Sequence, residues 1–434
     1  MAGHDTEVGS TLIGMPGFRV LAADDVDGEV WLLAETTADF AGCSGCGTRA
    51  EAKDRRRVMV RDLPVAGRPV VLVWSKRRWS CPEPDCATKT WTETSDLVAP
   101  RASMTVRARV EACRLVGQDG RSVAEVARMF GVAWATIWSA VVEHGRPLVD
   151  DLDRNAAVTD LGIDETAWLK ATPTHSTLWA TGLVDTEHGR LVDVILGRNA
   201  AELRTWLSDQ DRRWLDGVAT VSIDPHESYR LGLHPHLDHA TVVADPFHIV
   251  ALGNRALDKV RRRTQQSLTG HRGRKGDPLY DIRKILLTAN ERLDDKGRSR
   301  LDAALAAADP TDEVVAGYLM KEHLREVYAV ADPLEAAVLL DAVIAEGANS
   351  NIAELNTLAT TLRRWRVEIL NHHRTGRSNG PTEAMNLLIK QIKRVGRGFT
   401  SFPNYRLRLL LYCGVEWETH RTASIRGRRP HLVA

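Results

Sequence analysis

The tightest constraint on this chain is a set of short β-branched runs that each end on a carboxylate. Val218-Ala-Thr-Val-Ser-Ile223 stops at Asp224, Ala240-Thr-Val-Val-Ala244 stops at Asp245, and Leu161-Gly-Ile163 leads into Asp164 and Glu165. Runs this short, apolar and β-branched read as buried strands rather than helices. An acid at the end of a buried strand stands where an α/β sheet opens to solvent and binds ligands. Such an aspartate can equally cap the next helix, and Asp245, followed by Pro246-Phe-His248, suits either role.

The flanking pattern gives the topology. Residues 159–168, 178–185 and 191–196 predict three strands joined by short turns. A helix over 200–208, the strand ending at Asp224, a short helix over 227–233, the strand ending at Asp245 and a long helix to about Gln266 follow. That order is ribonuclease-H-like, and it puts Asp164 on the first strand beside Asp224 at the end of the fourth. Residues 255–376 carry almost no strand signal, and apolar spacing near 3.6 recurs through 279–289, 301–307, 314–330, 333–344 and 352–369. The expected organisation is therefore a ribonuclease-H-like α/β catalytic core over 158–266 and 377–418, interrupted by an inserted all-helical domain over 267–376. In the second part, Asn379-Gly-Pro381 opens a helix. Its apolar stripe of Met385, Leu388, Ile389 and Ile392 leaves Glu383 to one side, facing a cleft or water.

At 434 residues the chain needs more than one core, and residues 17–100 announce a separate one. Cys43-x-x-Cys46 and, after a hairpin-like segment, Cys81-x-x-x-x-Cys86 have the spacing of paired knuckles around a tetrahedral ion. Gly45, Gly47, Pro82 and Pro84 supply the turns, and Pro69-Val-Val-Leu-Val-Trp74 reads as a strand between them. The unit resembles a zinc ribbon, with one structural Zn²⁺ on Cys43, Cys46, Cys81 and Cys86. Four protein ligands leave no open position for catalysis.

Residues 101–150 follow as a helix and a helix-turn-helix. Ser122 and Glu125 form a capping box, Gly131 turns the chain, and a second helix runs from Trp134 to His144. Ala133, Trp134, Thr136 and Ser139 are the candidates for reaching a DNA groove. The polar stretch 147–157 reads as a linker, and 419–434 as a basic tail.

Net charge is only +1, but cations cluster at Arg261, Arg262 and Arg263 and at Lys390, Lys393, Arg394 and Arg397. These suit the phosphates of double-stranded DNA. No apolar run reaches membrane length, and Met1 to Gly17 lacks a basic start followed by an apolar core. No membrane and no small-molecule substrate is expected, and the expected setting is cytoplasmic, with the bacterial nucleoid.

Two aspartates on adjacent strands and a glutamate on a helix repel one another unless a cation sits among them. Asp164 and Asp224 are the expected core ligands and Glu383 the third, for two Mg²⁺ (or Mn²⁺) ions of the kind that activate a water or 3′-hydroxyl against a phosphodiester. Asp245 is the rival second aspartate or an outer group. Glu165 should point away, because neighbours on a strand alternate faces. His226 and His248 could orient ligands or simply pack.

In order, the zinc unit, the helix-turn-helix, Gly162-Ile-Asp-Glu165, Val221-Ser-Ile-Asp224, Asp245-Pro-Phe-His248, Ser378-Asn-Gly-Pro-Thr-Glu383 and Gly396-Arg-Gly-Phe399 resemble the transposases of the ISL-three insertion-sequence family over about 17–417. The resemblance implies an acid triad, matched here by Asp164, Asp224 and Glu383, that cuts and joins DNA at an element's terminal inverted repeats; joining two ends makes a homodimer or larger assembly the expectation. Pro225-His226 departs from the larger apolar or aromatic residue expected after the second aspartate. The alternative is a DNA-binding transcriptional regulator that keeps an inert catalytic fold, and metal-dependent nicking would separate the two.

Overall fold

The computed structural model describes Ser10 and residues 13–418; the expected basic tail lies outside the described residues. The chain forms two compact units, one running to Arg154 and resuming at Lys390, the other Asn155–Ile389.

The first unit is built on a five-stranded sheet. Strands β1 (Phe18–Val26), β2 (Glu29–Thr36), β3 (Glu51–Val65), β4 (Arg68–Ser80) and β5 (Thr90–Thr92) lie in the order β1-β2-β4-β3, with β5 beside β4. Pro69-Val-Val-Leu-Val-Trp74 is thus the middle of a longer strand. The β3–β4 hairpin turns through Ala66 and Gly67, both at positive φ, the conformation that matches the twist of flanking strands. One face buries Phe18, Leu32, Val60, Leu72 and Trp74. Helices α1 (Val106–Gly117), α2 (Val123–Phe130) and α3 (Trp134–Val149) follow. Ser122 Oγ accepts from Glu125 N at 3.2 Å, and Gly131, at φ 62°, ends α2 in the left-handed region where a Cβ is costly. Val126, Phe130 and Ile137 are fully buried. The expected linker at 147–157 begins later than its sequence indicates, because Pro147 sits inside the last turn of α3; its missing donor and the pressure of its ring on the Glu143 carbonyl fall just before the helix ends.

The second unit opens with strands β6 (Asp160–Leu169), β7 (Leu178–Asp185) and β8 (Arg190–Leu196). Helices α4 (Ala200–Ser208) and α5 (Arg212–Gly217), strand β9 (Thr220–Ile223), helix α6 (Glu227–Leu233), strand β10 (Thr241–Ala244) and helix α7 (Pro246–Thr269) follow. The sheet order is β10-β9-β6-β7-β8, with β6, β9 and β10 mutually parallel and β6-β7-β8 an antiparallel meander. Helix α5 was not read from sequence.

Helices α8 (Pro278–Asp281), α9 (Asp295–Ala308), α10 (Glu313–Val327), α11 (Pro333–Asn349), α12 (Ala353–Arg364) and α13 (Arg366–Thr375) make up the helical stretch. It is no separate globule: one apolar core runs from Leu161, Ile223 and Ala244 of the sheet through Leu257 to Leu324, Leu355 and Ile369. Two helices are shorter than their apolar spacing predicts. Residues 279–289 are helical only to Asp281, and 352–369 break at Trp365, whose backbone leaves helical geometry while its ring is buried. Helices α14 (Gly380–Val395) and α15 (Phe402–Cys413) complete the chain, and the division between the units falls inside α14. Within the first unit, buried Arg408 of α15 donates to the carbonyls of Val116 and Arg121, tying α15 to the end of α1. No helix of the described residues is long and apolar enough to cross a membrane.

Candidate functional site

Strand register builds the site. Ile163 of β6 pairs with Ile223 of β9, and Ile223 pairs with Ala244 of β10. The next residues along the three parallel strands are Asp164, Asp224 and Asp245, so the three aspartates form one row at the edge where the sheet opens.

Asp164 projects on the opposite face from Ile163 and Glu165. Glu165 accepts instead from Tyr229 of α6 at 2.5 Å, on the other side, as alternation requires. The Asp164 face is covered by α14. A Cβ at Gly162 would lie 2.0 Å from Thr382 Oγ1, and one at Gly182 3.8 Å from Ile389 Cδ1. Glycine at 162 is what lets this helix lie down on the strand. Asn386 Nδ2 donates to Asp164 Oδ2 at 2.5 Å. At the head of the helix, Asn379 Nδ2 donates to Ile163 O at 3.3 Å and Asp224 Oδ1 at 3.4 Å, and Asn379 N to Asp245 Oδ1 at 3.1 Å.

Glu383 follows Asn379 by four residues and precedes Asn386 by three, so it shares a helical stripe with two residues that touch the aspartates. Side chains at those spacings stand about 5–6 Å apart at Cβ. Its carboxylate makes no hydrogen bond or ion pair among the described residues. The buried stripe differs from the expected one: Leu388 is 37% exposed, while polar Thr382 and Asn386 are buried with Met385, Ile389 and Ile392.

Asp245 does cap α7, with Oδ2 accepting from His248 N at 3.1 Å. His248 Nδ1 lies 2.9 Å from Asp224 Oδ1 and 3.0 Å from Asp245 Oδ2. The two carboxylates push this imidazole up to about 10, so it is held as a cation between them. Burial, and then the charge of Asp224, push Asp164 up to about 7. Asp245 stays below its usual value despite burial, because His248 and Asn379 donate to it. Asp224, Asp245 and His248 converge closely enough to share one ion. The cost of gathered charge is therefore met in part by protons and amides. Asn379, Asn386 and the bridging role of His248 were missed from sequence. A usable signal existed, since Asn386 puts an amide into an otherwise apolar stripe.

The four cysteines converge as expected. Cys43 and Cys86 Sγ are 3.6 Å apart, Cys46 and Cys81 3.5 Å, and all four fit around one ion. Gly47, at φ 76°, closes the first knuckle, and Gly45 is needed because a Cβ there would meet Thr88 Oγ1 at 2.8 Å and Cys86 Sγ at 3.2 Å. Hydrogen bonds from Thr48 lower the Cys46 thiol to about 6, while desolvation and the neighbouring thiols raise Cys81. Such a set suits Zn²⁺, which takes thiolates and needs no other geometry than a tetrahedron.

The expected DNA contacts divide. Ala133 and Trp134 are exposed at the start of α3. Thr136 is half-buried in a groove with Trp31 and Met59 of the sheet, and Ser139 accepts from Arg109. Arg262 and Arg263 are exposed but paired, with Asp258 and with Glu313 and Glu354 respectively. Arg261 is a correction: its side chain is buried against Asp258, on the inner face of α7, and cannot hold a phosphate there. Lys390, Arg394 and Arg397 are exposed, Lys393 half-buried.

Comparison with known proteins gives three family matches in chain order. Residues 39–86 match the zinc-finger of transposase IS204/IS1001/IS1096/IS1165, residues 93–145 the helix-turn-helix domain of transposase family ISL3, and residues 161–409 the transposase domain of that family. The transposase for insertion sequence element IS1001 of Bordetella parapertussis is 27% identical over 413 residues, covering 93% of this chain and 97% of that protein. The transposase for insertion sequence element IS1557 of Mycobacterium tuberculosis is 28% identical over 299 residues, 64% of this chain and 65% of that protein. With a ribonuclease-H-like strand order, a four-cysteine knuckle pair and a DNA-binding helix-turn-helix in the family's sequence, this chain belongs to the ISL3 family of insertion-sequence transposases.

Proposed function

We propose that this transposase cuts and joins DNA at an acid cluster of Asp164, Asp224 and Glu383. The observation that carries the reading is the row of aspartates on three parallel strands, with α14 laid across it so that Glu383 lies on the stripe of Asn379 and Asn386. The raised Asp164 carboxyl supports a cation site, because a divalent ion would favour the charged form that burial and then Asp224 disfavour. Asp164, Asp224 and Glu383 would hold two Mg²⁺ (or Mn²⁺) ions, which supply Lewis acidity and an activated oxygen nucleophile when bound. Asp245 serves outside this set as the cap of α7: its Oδ2 takes the His248 N–H and faces the His248 ring, and its Oδ1 takes the Asn379 N–H. It orients His248, which keeps a proton at Nδ1 facing Asp224.

The reaction has two steps. Water attacks a phosphorus at each element end and the P–O3′ bond breaks, leaving a 3′-hydroxyl. That hydroxyl then attacks a target phosphodiester, forming one P–O bond as another breaks. The helix-turn-helix and the zinc unit would recognise terminal inverted repeats, with Ala133 and Trp134 nearest the DNA and Thr136 and Ser139 behind them. Lys390, Lys393, Arg394, Arg397, Arg262 and Arg263 would hold phosphates, so affinity should fall steeply with salt. Joining two ends calls for a homodimer or larger assembly on DNA.

The test is cleavage of end-containing duplex with Mg²⁺ by Asp164→Asn, Asp224→Asn and Glu383→Gln. Each should cut about 10³-fold more slowly or worse, the loss of several kcal/mol of transition-state stabilisation, while end binding persists. Wild-type rates in any of the three would remove that residue from the cluster.

A further inference from the structure

The first unit holds a cavity of about 340 Å³ that the proposed chemistry leaves unused. It lies between the start of α2, the exposed side of α3 and the loop that joins α14 to α15, which carries Gly396-Arg-Gly-Phe399. Its volume is in the range of small-ligand sites, and its lining includes arginines but no acid.

One wall is aromatic. Trp134 and Trp138 stack, ring centroids 5.7 Å apart at 24°, and Trp134 remains 50% exposed. An exposed indole stacked on a neighbour in the lining of a cavity offers a stacking platform. The lining is also cationic. Arg128 and Arg397 both line the cavity, both are exposed, and neither has an ion-pair partner among the described residues. Most arginines of the flanking elements, by contrast, are paired: Arg109 with Glu143, Arg114 with Glu111 and Arg121 with Glu125. Arg397 is held at φ 52°, and Phe399 packs so tightly on Gly396 that a Cβ there would lie 2.5 Å from its ring. This loop is thereby shaped to present a cation. Val123 and Ala124 add first-turn N–H groups, which have no acceptor within their own helix.

A flat apolar surface and unpaired cations with free N–H groups, gathered in one cavity, match a nucleotide: base on the first, phosphate on the second. We propose that this cavity receives one unpaired nucleotide of a DNA strand, its base on Trp134 and its phosphate between Arg128 and Arg397. Trp134, nearest the DNA in the proposed complex, then captures a base that has left the duplex. Any base can serve, because every base has a π-face.

The test uses the full-length protein with no divalent ion added and reads no cleavage, so its outcome is independent of the acid cluster. Binding is compared by fluorescence anisotropy for a short oligothymidylate, a sugar-phosphate oligomer of the same length without bases, and a fully paired duplex. The wild type should favour the oligothymidylate over the baseless strand by about tenfold. Trp134→Ala should abolish that preference and leave the baseless strand bound as before; Trp134→Phe, which keeps a ring and guards against a folding defect, should retain part of it. Arg397→Ala should weaken both strands. Equal wild-type binding of the two strands, or a preference that survives Trp134→Ala, would overturn the proposal. Loss of duplex binding alone in Trp134→Ala would make Trp134 a groove reader. Displacement of the strand by thymidine monophosphate at matching concentration would reassign the cavity to a soluble nucleotide.

Discussion

The cysteine cluster and the acid cluster both gather metal-ligating side chains, and they are assembled on different scales. Cys43 and Cys86 meet across 43 positions of sequence, on the two ends of one hairpin. Asp164 and Asn386 meet across 222. The thiols surround their centre with four like ligands and leave no side open. The acids stand in a row along one sheet edge, with Glu383 beside it unengaged, and protein groups already cover part of their charge: the His248 proton and the amides of Asn379 and Asn386. The first cluster is complete once its ion is in place and holds the fold. The second has no such closed set of like ligands.

The largest expected difference is in stability. Replacing Cys43 and Cys86 by Ser, or removing zinc with a chelator, should destabilise the first unit by several kcal/mol, since structural zinc contributes on the order of 10 kcal/mol in small zinc folds. Thermal melts would read the loss, and Mn²⁺ titration of the acid cluster should be unchanged. If the same treatment abolished Mn²⁺ binding, the two clusters would not be independent.

Next comes the close approach at Gly162. Gly162→Ala would drive a methyl into Thr382 and force α14 off the sheet, at about 2–3 kcal/mol and with loss of DNA cleavage. Thr382→Ala in the same chain should restore part of both. Unaltered stability in the single variant would mean that the helix does not lie this close.

The third contrast is in pH. Asp164 keeps its proton to about pH 7 in the folded chain, against 3.8 when unfolded. Between those values the native state binds more protons, so metal-free stability should fall as pH rises from about 4 to about 7, by about 2 kcal/mol after allowance for solvent screening. Asp164→Asn should flatten that slope in urea titrations. The His248 contribution is fully present below its unfolded value near 6.5 and is lost as pH passes about 10.

The smallest effect is at Asn386. Asn386→Ala removes a donor to the Asp164 carboxylate, costs about 1 kcal/mol and should move half-maximal Mn²⁺ binding to higher pH. A shift to lower pH would mean that the amide does not stabilise the ionised form.

What could be read in advance follows the same division. The cysteine knuckles, the Ser122 cap and the Gly131 turn are local, and their residues carry the whole message. The strand order was legible because each strand is short and bounded by turns. The bonds of Asn379 and Asn386 were not, since an asparagine at a helix head or on an apolar stripe reads as a cap or an interruption until the sheet is beneath it. Arg261 shows the converse: three consecutive arginines look alike in sequence, and only helical rotation decides which one turns inward. The helical stretch misled for a related reason. Its apolar faces predict burial but cannot say against what, and they meet the sheet.

That meeting bears on how the protein could be trimmed. Strand β10 is the outermost strand of its sheet, with α13 packed beside it and Asn371 Nδ2 donating to Val242 O at 2.8 Å. A truncated variant lacking 278–375 would bare a row of main-chain donors and acceptors, which invites pairing with another polypeptide. The helices thus act as a guard against self-association, and a minimal nuclease cut from this chain would precipitate sooner than work.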